Sequence, residues 1–202
     1  MLFIHDFEAM EKSARTNLVN ALSGFKSPLL VGSRDVGGSP NVAVFSSVFH
    51  LGANPPLMGL VSRPDTVPRD TLENIRQTGV YTLNHLHESH IGRIHQTSAR
   101  YPREVSEFDA VGLKPQWHEG YEAPFVSEAV LQIALELREI IPVALNGTHL
   151  VIGQVLGVWV TENRLLPDGS VDLAGTPAVV GLDAYHHTEL LERLAYAKVG
   201  RE

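Results

Sequence analysis

The chain has 202 residues, 44% of them apolar and 19% charged, which favours one folded domain with a substantial core and excludes global disorder. Its net charge of −7 disfavours nucleic acid as a partner, because phosphate backbones select basic surfaces. The absence of cysteine excludes disulfides, thiolate catalysis and cysteine-bound zinc or iron–sulfur clusters.

The first half of the chain is predicted to contain two helices and three strands. The opening helix spans residues 6–24 with Asp6 as its cap, because apolar residues recur at helical spacing: Phe7, Met10, Ala14, Leu18 and Leu22. Strands follow at residues 28–34, 41–47 and 56–62. A second helix begins with Asp70 or Thr71 as its cap and ends at Gly79, which suits a left-handed stop.

The second half is predicted to be mostly strand. A strand over residues 80–84 is followed by a helix over 88–98 and by a turn-rich stretch over 101–120. The remaining elements are a strand at 129–140 stopped by Pro142, a long strand at 149–161 and a final amphipathic helix at 189–199. About six short strands with Gly and Pro turns favour a barrel or a sandwich, and no βαβ alternation supports a doubly wound sheet.

Polar residues around the second helix suggest an anion site. Hydroxyls and guanidinium groups cluster before the helix and in its first turn: Ser46, Ser47, Ser62, Arg63, Thr66, Arg69 and Thr71. A helix N-terminus presents unpaired N–H groups, so these residues could together bind a phosphate. The competing interpretation is that Asp70 and Thr71 only cap the helix while the arginines solvate a loop.

An ordered series of motifs resembles the flavin-reductase-like, FMN-binding split-barrel family, in its flavoredoxin branch. Residues 41–49 are similar to its Asn-Val-Ala-Pro-aromatic-Ser stretch, and residues 69–75 to its Lys-Asp-Thr-Leu-x-Asn-Ile. Residues 79–84 resemble its Gly-x-Phe-Val-Val-Asn. Further matches lie at residues 54–57, 97–102, 106–113 and 126–128, so the resemblance covers roughly residues 25–160.

The resemblance implies a mainly β (α+β) fold. The expected architecture is one domain over residues 1–202: an FMN-binding split β-barrel at about 25–165, with the helix at 6–24 and a helical extension at about 186–200. It also implies a homodimer with FMN near the interface.

The same resemblance assigns cofactor-binding roles. Phe45, Ser46 and Ser47 would line the isoalloxazine ring and donate to its polar edge, mainly through their backbone, and Arg63, Arg69 and Thr71 would hold the FMN phosphate. Asn84, Thr97 and Ser98 would lie near the ribityl chain or the partner subunit. Asn41 and Ser62 complete the set of candidate cofactor-binding residues. No catalytic side chain is expected, because the flavin carries the chemistry.

Three positions depart from the family pattern. Val44 replaces the usual proline, and Asn54 replaces the aspartate before Pro-Pro. Gly181 stands where the family often carries arginine. These departures concern the nicotinamide or substrate side more than FMN binding.

Other candidate sites are weaker. The ten histidines include His85, His87, His186 and His187, but no metal-ligand motif is present, so no metal is expected and a loop or pocket-rim position is favoured. Glu128 could assist proton movement, although pairing with an arginine is the simpler expectation. Neither a secretory leader nor a membrane-length apolar run is recognisable, which predicts a cytoplasmic protein without a membrane span.

The sequence therefore predicts an FMN-dependent oxidoreductase with NAD(P)H as possible electron donor and a small molecule or a protein as acceptor. One alternative is an FMN-binding electron-transfer or storage module without significant NAD(P)H activity. A second is an enzyme resembling pyridoxamine-phosphate oxidase, which the motifs at residues 41–43 and 69–71 disfavour.

Overall fold

The structure is a computed structural model and describes residues 1–195. Eleven strands are formed: β1 (Leu29–Arg34), β2 (Pro40–Phe45), β3 (Val48–Ala53), β4 (Pro56–Ser62), β5 (Val80–Leu86), β6 (Pro115–Gln116), β7 (Phe125–Val126), β8 (Ala129–Val143), β9 (Thr148–Val160), β10 (Ala178–Val180) and β11 (Ala184–His186). The α-helices are α1 (Lys12–Ala21), α2 (Asp70–Thr78), α3 (Ile91–Gln96) and α4 (Glu107–Val111). Short 3₁₀ turns cover Glu88–His90 and Glu162–Arg164. The predicted mainly β class is confirmed.

Seven strands form one antiparallel sheet that rolls up on itself. Their order is β2-β1-β5-β8-β9-β4-β3, so β2 and β3 are the two edges. Only Ser46 and Ser47 connect these edges, so the end of β2 and the beginning of β3 must lie close together. The N–H of Val61 in β4 also donates to the carbonyl of Ser47, at 3.0 Å. The sheet is therefore a partly closed barrel.

Two apolar clusters cover the two faces of the sheet. One includes Leu60, Tyr81, Leu135 and Val151 and is joined by Leu72 of α2. The other packs beneath α3, α4 and β7, and its buried members are Leu30, Val42, Leu86, Ile94, Phe108, Leu113 and Val126. β1 contributes to both clusters, which explains its nearly continuous run of buried residues.

The sheet contains one strand that the sequence analysis missed and one that is longer than predicted. β3 is an additional edge strand, paired with β4. β8 runs through Pro142, so the predicted stop at this proline is wrong. β5 pairs with β8 only as far as Glu136, and Pro142 has β9 on one side alone. Its missing N–H can therefore face away from the ladder without loss.

Both terminal helices differ from their predicted lengths. α1 begins after Glu11, whose carboxylate accepts from the N–H groups of Ser13 and Ala14; Asp6 instead accepts from Ala9 in a preceding turn. Residues 187–195 form no helix, and the rest of the helix predicted at 189–199 lies outside the described residues. Three leucines of this segment are exposed among residues 1–195, so the segment lacks the apolar packing that is the main source of helix stability: Leu190, Leu191 and Leu194.

The helix predicted at 88–98 is observed as a 3₁₀ turn followed by α3. Within residues 1–195, no helix reaches the length and apolarity that crossing a membrane requires.

Candidate functional site

The predicted anion site lies where β4 passes into α2. Ser62 ends β4 and is buried, and its hydroxyl is 3.4 Å from the carbonyl oxygen of Arg63. The chain then forms a loop over residues 63–69, called here the arginine loop. Arg63 is exposed, and Arg69 is half-buried where the loop meets the helix. Both predicted arginines therefore lie in one short connection at the end of a core strand.

The beginning of α2 carries no side-chain cap. Its N-cap residue is Arg69, with φ of −129° and ψ of 80°, and among residues 1–195 no side chain accepts a hydrogen bond from the first turn. The prediction that Asp70 or Thr71 caps this helix is wrong, because both lie inside it. The first N–H groups of the helix thus have no side-chain acceptor, and they present a partial positive charge next to the arginine loop.

Two further arginines, Arg63 and Arg100, lie near enough to Arg69 for their charges to act on it. Partial burial, and then repulsion from Arg63 and Arg100, lower the pKa of Arg69. The Nε of Arg69 donates to the carbonyl oxygen of Pro64 at 3.1 Å, which fixes the side chain against its own loop. Within residues 1–195, none of the three arginines has a carboxylate within 4.0 Å. We call Arg63, Arg69, Arg100 and the start of α2 the anion cradle.

Arg100 is the residue of this cradle that the sequence analysis missed. It lies in the loop after α3, within the motif at residues 97–102, whose resemblance to the family implies no role for the arginine. The pattern of charges and hydroxyls at residues 63–71 could not reveal Arg100, because Arg100 belongs to a loop that is distant in the sequence. Only the tertiary fold brings that loop near Arg69.

A cavity of about 290 Å³ adjoins the cradle. Its charged lining is balanced, with three guanidinium groups and three carboxylates: Arg76 lies 3.3 Å from Asp65, Arg103 lies 4.0 Å from Asp70, and Arg69 and Glu73 are the remaining two. Arg69 is shared between this cavity and the cradle. The unbalanced positive charge is therefore confined to the cradle, and the cavity beside it is close to neutral.

A buried polar network supports the cradle from below. Asn41 of β2 accepts from the hydroxyls of Thr71 and Ser33, both at 3.1 Å, and its amide donates to Glu107 of α4 at 2.6 Å. Asn74 of α2 donates to Ser33 at 3.2 Å. Burial, together with the nearby Asp70 carboxylate, raises the pKa of Glu107. The structure thus brings the predicted residues Asn41 and Thr71 into contact, in a network that joins two strands to two helices.

The residues predicted to line a flavin ring lie at the link between the barrel edges. Phe45 is the last residue of β2, and its partly buried side chain packs against the cluster that contains Leu60 and Tyr81. Ser46 is half-buried and Ser47 is exposed. Neither serine hydroxyl makes a hydrogen bond within the described part of the chain. Both hydroxyls can therefore donate to an outside ligand.

The other three predicted residues are Asn84, Thr97 and Ser98, of which the first two are buried. Asn84 is fully buried: its amide donates to Leu30 at 3.1 Å and accepts from the N–H of Val126 at 3.0 Å. Thr97 is also buried, and its hydroxyl donates to Ile94 at 2.8 Å. Ser98 is exposed after α3. The side-chain amide of Asn84 thus makes its hydrogen bonds to the protein itself.

The histidines do not form a metal centre among residues 1–195. His85 is buried in β5, and burial lowers its pKa to about 4. His187 pairs with Glu88 at 2.7 Å, and this carboxylate raises the pKa of His187. Glu128 pairs with Arg93 at 3.6 Å, as the simpler expectation had it.

Comparison with known proteins gives a consistent result. The family described as "Flavin reductase like domain" matches residues 22–189. A crystal structure from Shewanella frigidimarina NCIMB 400, provisionally assigned as a flavin reductase with a split barrel domain, is 46% identical. It superposes with a TM-score of 0.93 over 98% of this chain and 100% of that one.

Two further solved structures share the fold. Nitrilotriacetate monooxygenase component B from Bacillus cereus is 25% identical, with a TM-score of 0.83 over 96% of this chain and 98% of that one. An FMN-binding protein from Thermus thermophilus is 22% identical, with a TM-score of 0.74 over 87% of this chain and 92% of that one. The predicted split barrel is confirmed.

Proposed function

The chain belongs to the flavin reductase like family, and from this premise we propose that it is an FMN-binding oxidoreductase. The family accounts for a flavin-related redox function, and the cradle supplies the reason to name FMN among the flavins. The single observation that carries this proposal is Arg69 at the start of α2, where among residues 1–195 no side chain caps the helix and the charges of Arg63 and Arg100 add to its own.

The donors of the cradle fit a phosphate monoester. Three guanidinium groups without a carboxylate partner among residues 1–195 leave a positive charge that a dianion would neutralise. The first N–H groups of α2 add donors directed along the helix axis. Arg63 and Arg69 would hold the phosphate from the arginine loop, and Arg100 from the loop after α3.

Thr71 would contribute to this site in a different way from that predicted. Its hydroxyl proton is directed to Asn41, at 3.1 Å, so its backbone N–H is the group left for a phosphate. The side chains of Thr71 and Asn41 would hold α2 and β2 at a fixed separation. Ser46 and Ser47, with Phe45 beside them, would meet the polar edge and the apolar face of the flavin ring.

When bound, FMN supplies the hydride and electron transfer chemistry, and the protein's part is to bind, to orient and to exclude water. We propose NAD(P)H as the electron donor, on the strength of the reductase family. The electron acceptor would be a small molecule or another protein. We further propose a homodimer, and the cytoplasmic location stays a prediction.

The proposal is tested by the visible spectrum of the protein after incubation with FMN and desalting. We expect flavin absorption bands to remain with the wild-type protein. Arg69→Gln should weaken FMN binding by roughly 1.5–3 kcal/mol, the value of a hydrogen bond to a charged group. Arg138→Gln, which removes the same charge from an exposed position on β8, serves as the matched control.

A colourless wild-type protein that also fails to bind FMN in a titration would overturn the proposal. Equal losses in the Arg69 and Arg138 variants would place the phosphate elsewhere. If FMN binds, the rate of its reduction by NADH and by NADPH separates a reductase from an electron-transfer module.

A further inference from the structure

A buried histidine lies directly beneath the arginine loop. His149 of β9 is only 9% exposed and stands opposite Ser62, the residue that precedes the loop. Its Nε2 lies 3.6 Å from the Oδ2 of Asp65, which is a residue of the loop itself. No other histidine among residues 1–195 is within 4.0 Å of a loop carboxylate.

Asp65 connects the loop to two different elements. Besides His149 on the barrel wall, it meets the Nη1 of Arg76 in α2 at 3.3 Å. A further hydrogen bond, from Arg69 to the carbonyl oxygen of Pro64, stabilises the loop internally. A segment that carries two guanidinium groups of like charge needs such ties, because the two groups repel each other when no anion is bound.

Packing alone does not explain a histidine at this position. The Nδ1 of His149 is buried and has no hydrogen-bond partner in the part of the chain that the structure describes. An unpartnered buried polar atom is unfavourable, and an aliphatic side chain of similar size would fill the same space without it. The imidazole ring therefore contributes through its other nitrogen, Nε2, which faces the Asp65 carboxylate.

We propose that His149 is a positioning residue for the anion cradle: through Asp65 it holds the arginine loop in the conformation that brings Arg63 and Arg69 together. This inference rests on the proposed function, since the anion concerned is the phosphate of FMN. His149 does not itself touch the ligand. It acts on phosphate recognition and leaves recognition of the flavin ring to residues 45–47.

Riboflavin, which lacks the phosphate, separates this role from a general structural one. We expect His149→Leu to weaken FMN binding about tenfold, as the loss of an outer supporting partner does at metal sites. Its riboflavin affinity should stay within about twofold of wild type, because no phosphate contact is involved. Affinities are measured by quenching of flavin fluorescence.

Two amide variants sharpen the test. In His149→Gln the amide nitrogen can reach the position of Nε2, so most of the FMN affinity should be retained. In His149→Asn the shorter side chain places the amide near Nδ1, and the loss should equal that of His149→Leu. His187→Gln is the matched control, since His187 pairs with Glu88 and not with the loop.

Hydrogen exchange of the protein without ligand provides a readout independent of flavin binding. The amides of residues 63–69 should exchange faster in His149→Leu than in wild type, with the turn at residues 35–39 unchanged. Equal weakening of FMN and riboflavin, unchanged FMN affinity, or unchanged exchange of the loop would each overturn the inference. Failure of the wild-type protein to bind FMN would overturn the proposed function, and the exchange experiment would still decide whether His149 holds the loop.

Discussion

Individual residues of the site were predictable to different degrees. Arg63 and Arg69 follow from the sequence because they stand close to each other and to a helix start. Arg100 does not, since only the tertiary fold brings its loop to α2. Asn84 shows the opposite case: its motif marks the residue, yet the structure uses its amide to bind Leu30 and Val126. A motif identifies a position, and the fold decides what that position does.

His85 makes a prediction about acid stability. Burial lowers its pKa to about 4 in the folded state, against about 6.5 in an unfolded chain. The corresponding stability is fully present above pH 6.5 and is lost as the pH falls through about 4, because the unfolded chain binds the proton first. We expect the free energy of unfolding to decrease by roughly 3 kcal/mol over this interval on account of His85.

The measurement is urea unfolding at several pH values between 7 and 4, for wild type and for His85→Leu. The variant should show a weaker pH dependence. His5→Gln, which alters an exposed histidine near the N-terminus, should keep the dependence of wild type. Parallel curves for wild type and His85→Leu would contradict the assignment.

Elements were predicted best where a local signal was strong. β4 and the end of α2 at Gly79 agree with prediction, and the φ of 73° at Gly79 is the left-handed conformation that glycine favours. The signal failed where tertiary context decides. β3 is held as an edge by β4, β8 passes Pro142 because one side is unpaired, and residues 187–195 lack a surface on which a helix could pack.

The attachment of β7 to the barrel depends on Asn84. Its side chain accepts from Val126, whose carbonyl accepts from Gln132 of β8 at 2.8 Å. Asn84→Ala should lower the free energy of unfolding by about 2–4 kcal/mol, because a buried N–H loses its acceptor and a small cavity forms. Asn163→Ala, at an exposed position, should change it by less than about 0.5 kcal/mol.

Urea unfolding at one fixed protein concentration measures both variants. A loss below about 1 kcal/mol for Asn84→Ala would mean that β7 is held mainly by apolar packing around Phe125 and Val126.

At the scale of the whole molecule, the sheet presents apolar surface that residues 1–195 leave uncovered. β9 pairs with β4 only up to Gln154, so its last residues have β8 on one side alone. Leu156 and Val158 there are 46% and 52% exposed. An unpaired strand edge with apolar side chains tends to be covered by another chain. This surface supports the proposed homodimer.

Sedimentation velocity tests the dimer. Wild type should sediment with twice the chain mass of 22.1 kDa. Leu156→Glu combined with Val158→Lys should shift the protein towards the monomer, because two charges would be buried at the contact. Leu145→Glu, at a fully exposed leucine of the β8–β9 turn, should not. A monomeric wild type, or a double variant that stays dimeric, would contradict this assignment of the interface.

The two-residue link at Ser46 and Ser47 restricts where the barrel can open transiently. A noncovalent seam between sheet edges could open transiently, but here the peptide chain itself crosses the seam. The width of the opening beside residues 45–47 is therefore set by bond lengths and dihedral angles rather than by a balance of weak contacts. In a single chain without a partner on this surface, slow fluctuations of the barrel should concentrate along the half of β9 that lacks β4, and the proposed flavin edge should be the rigid side of the molecule.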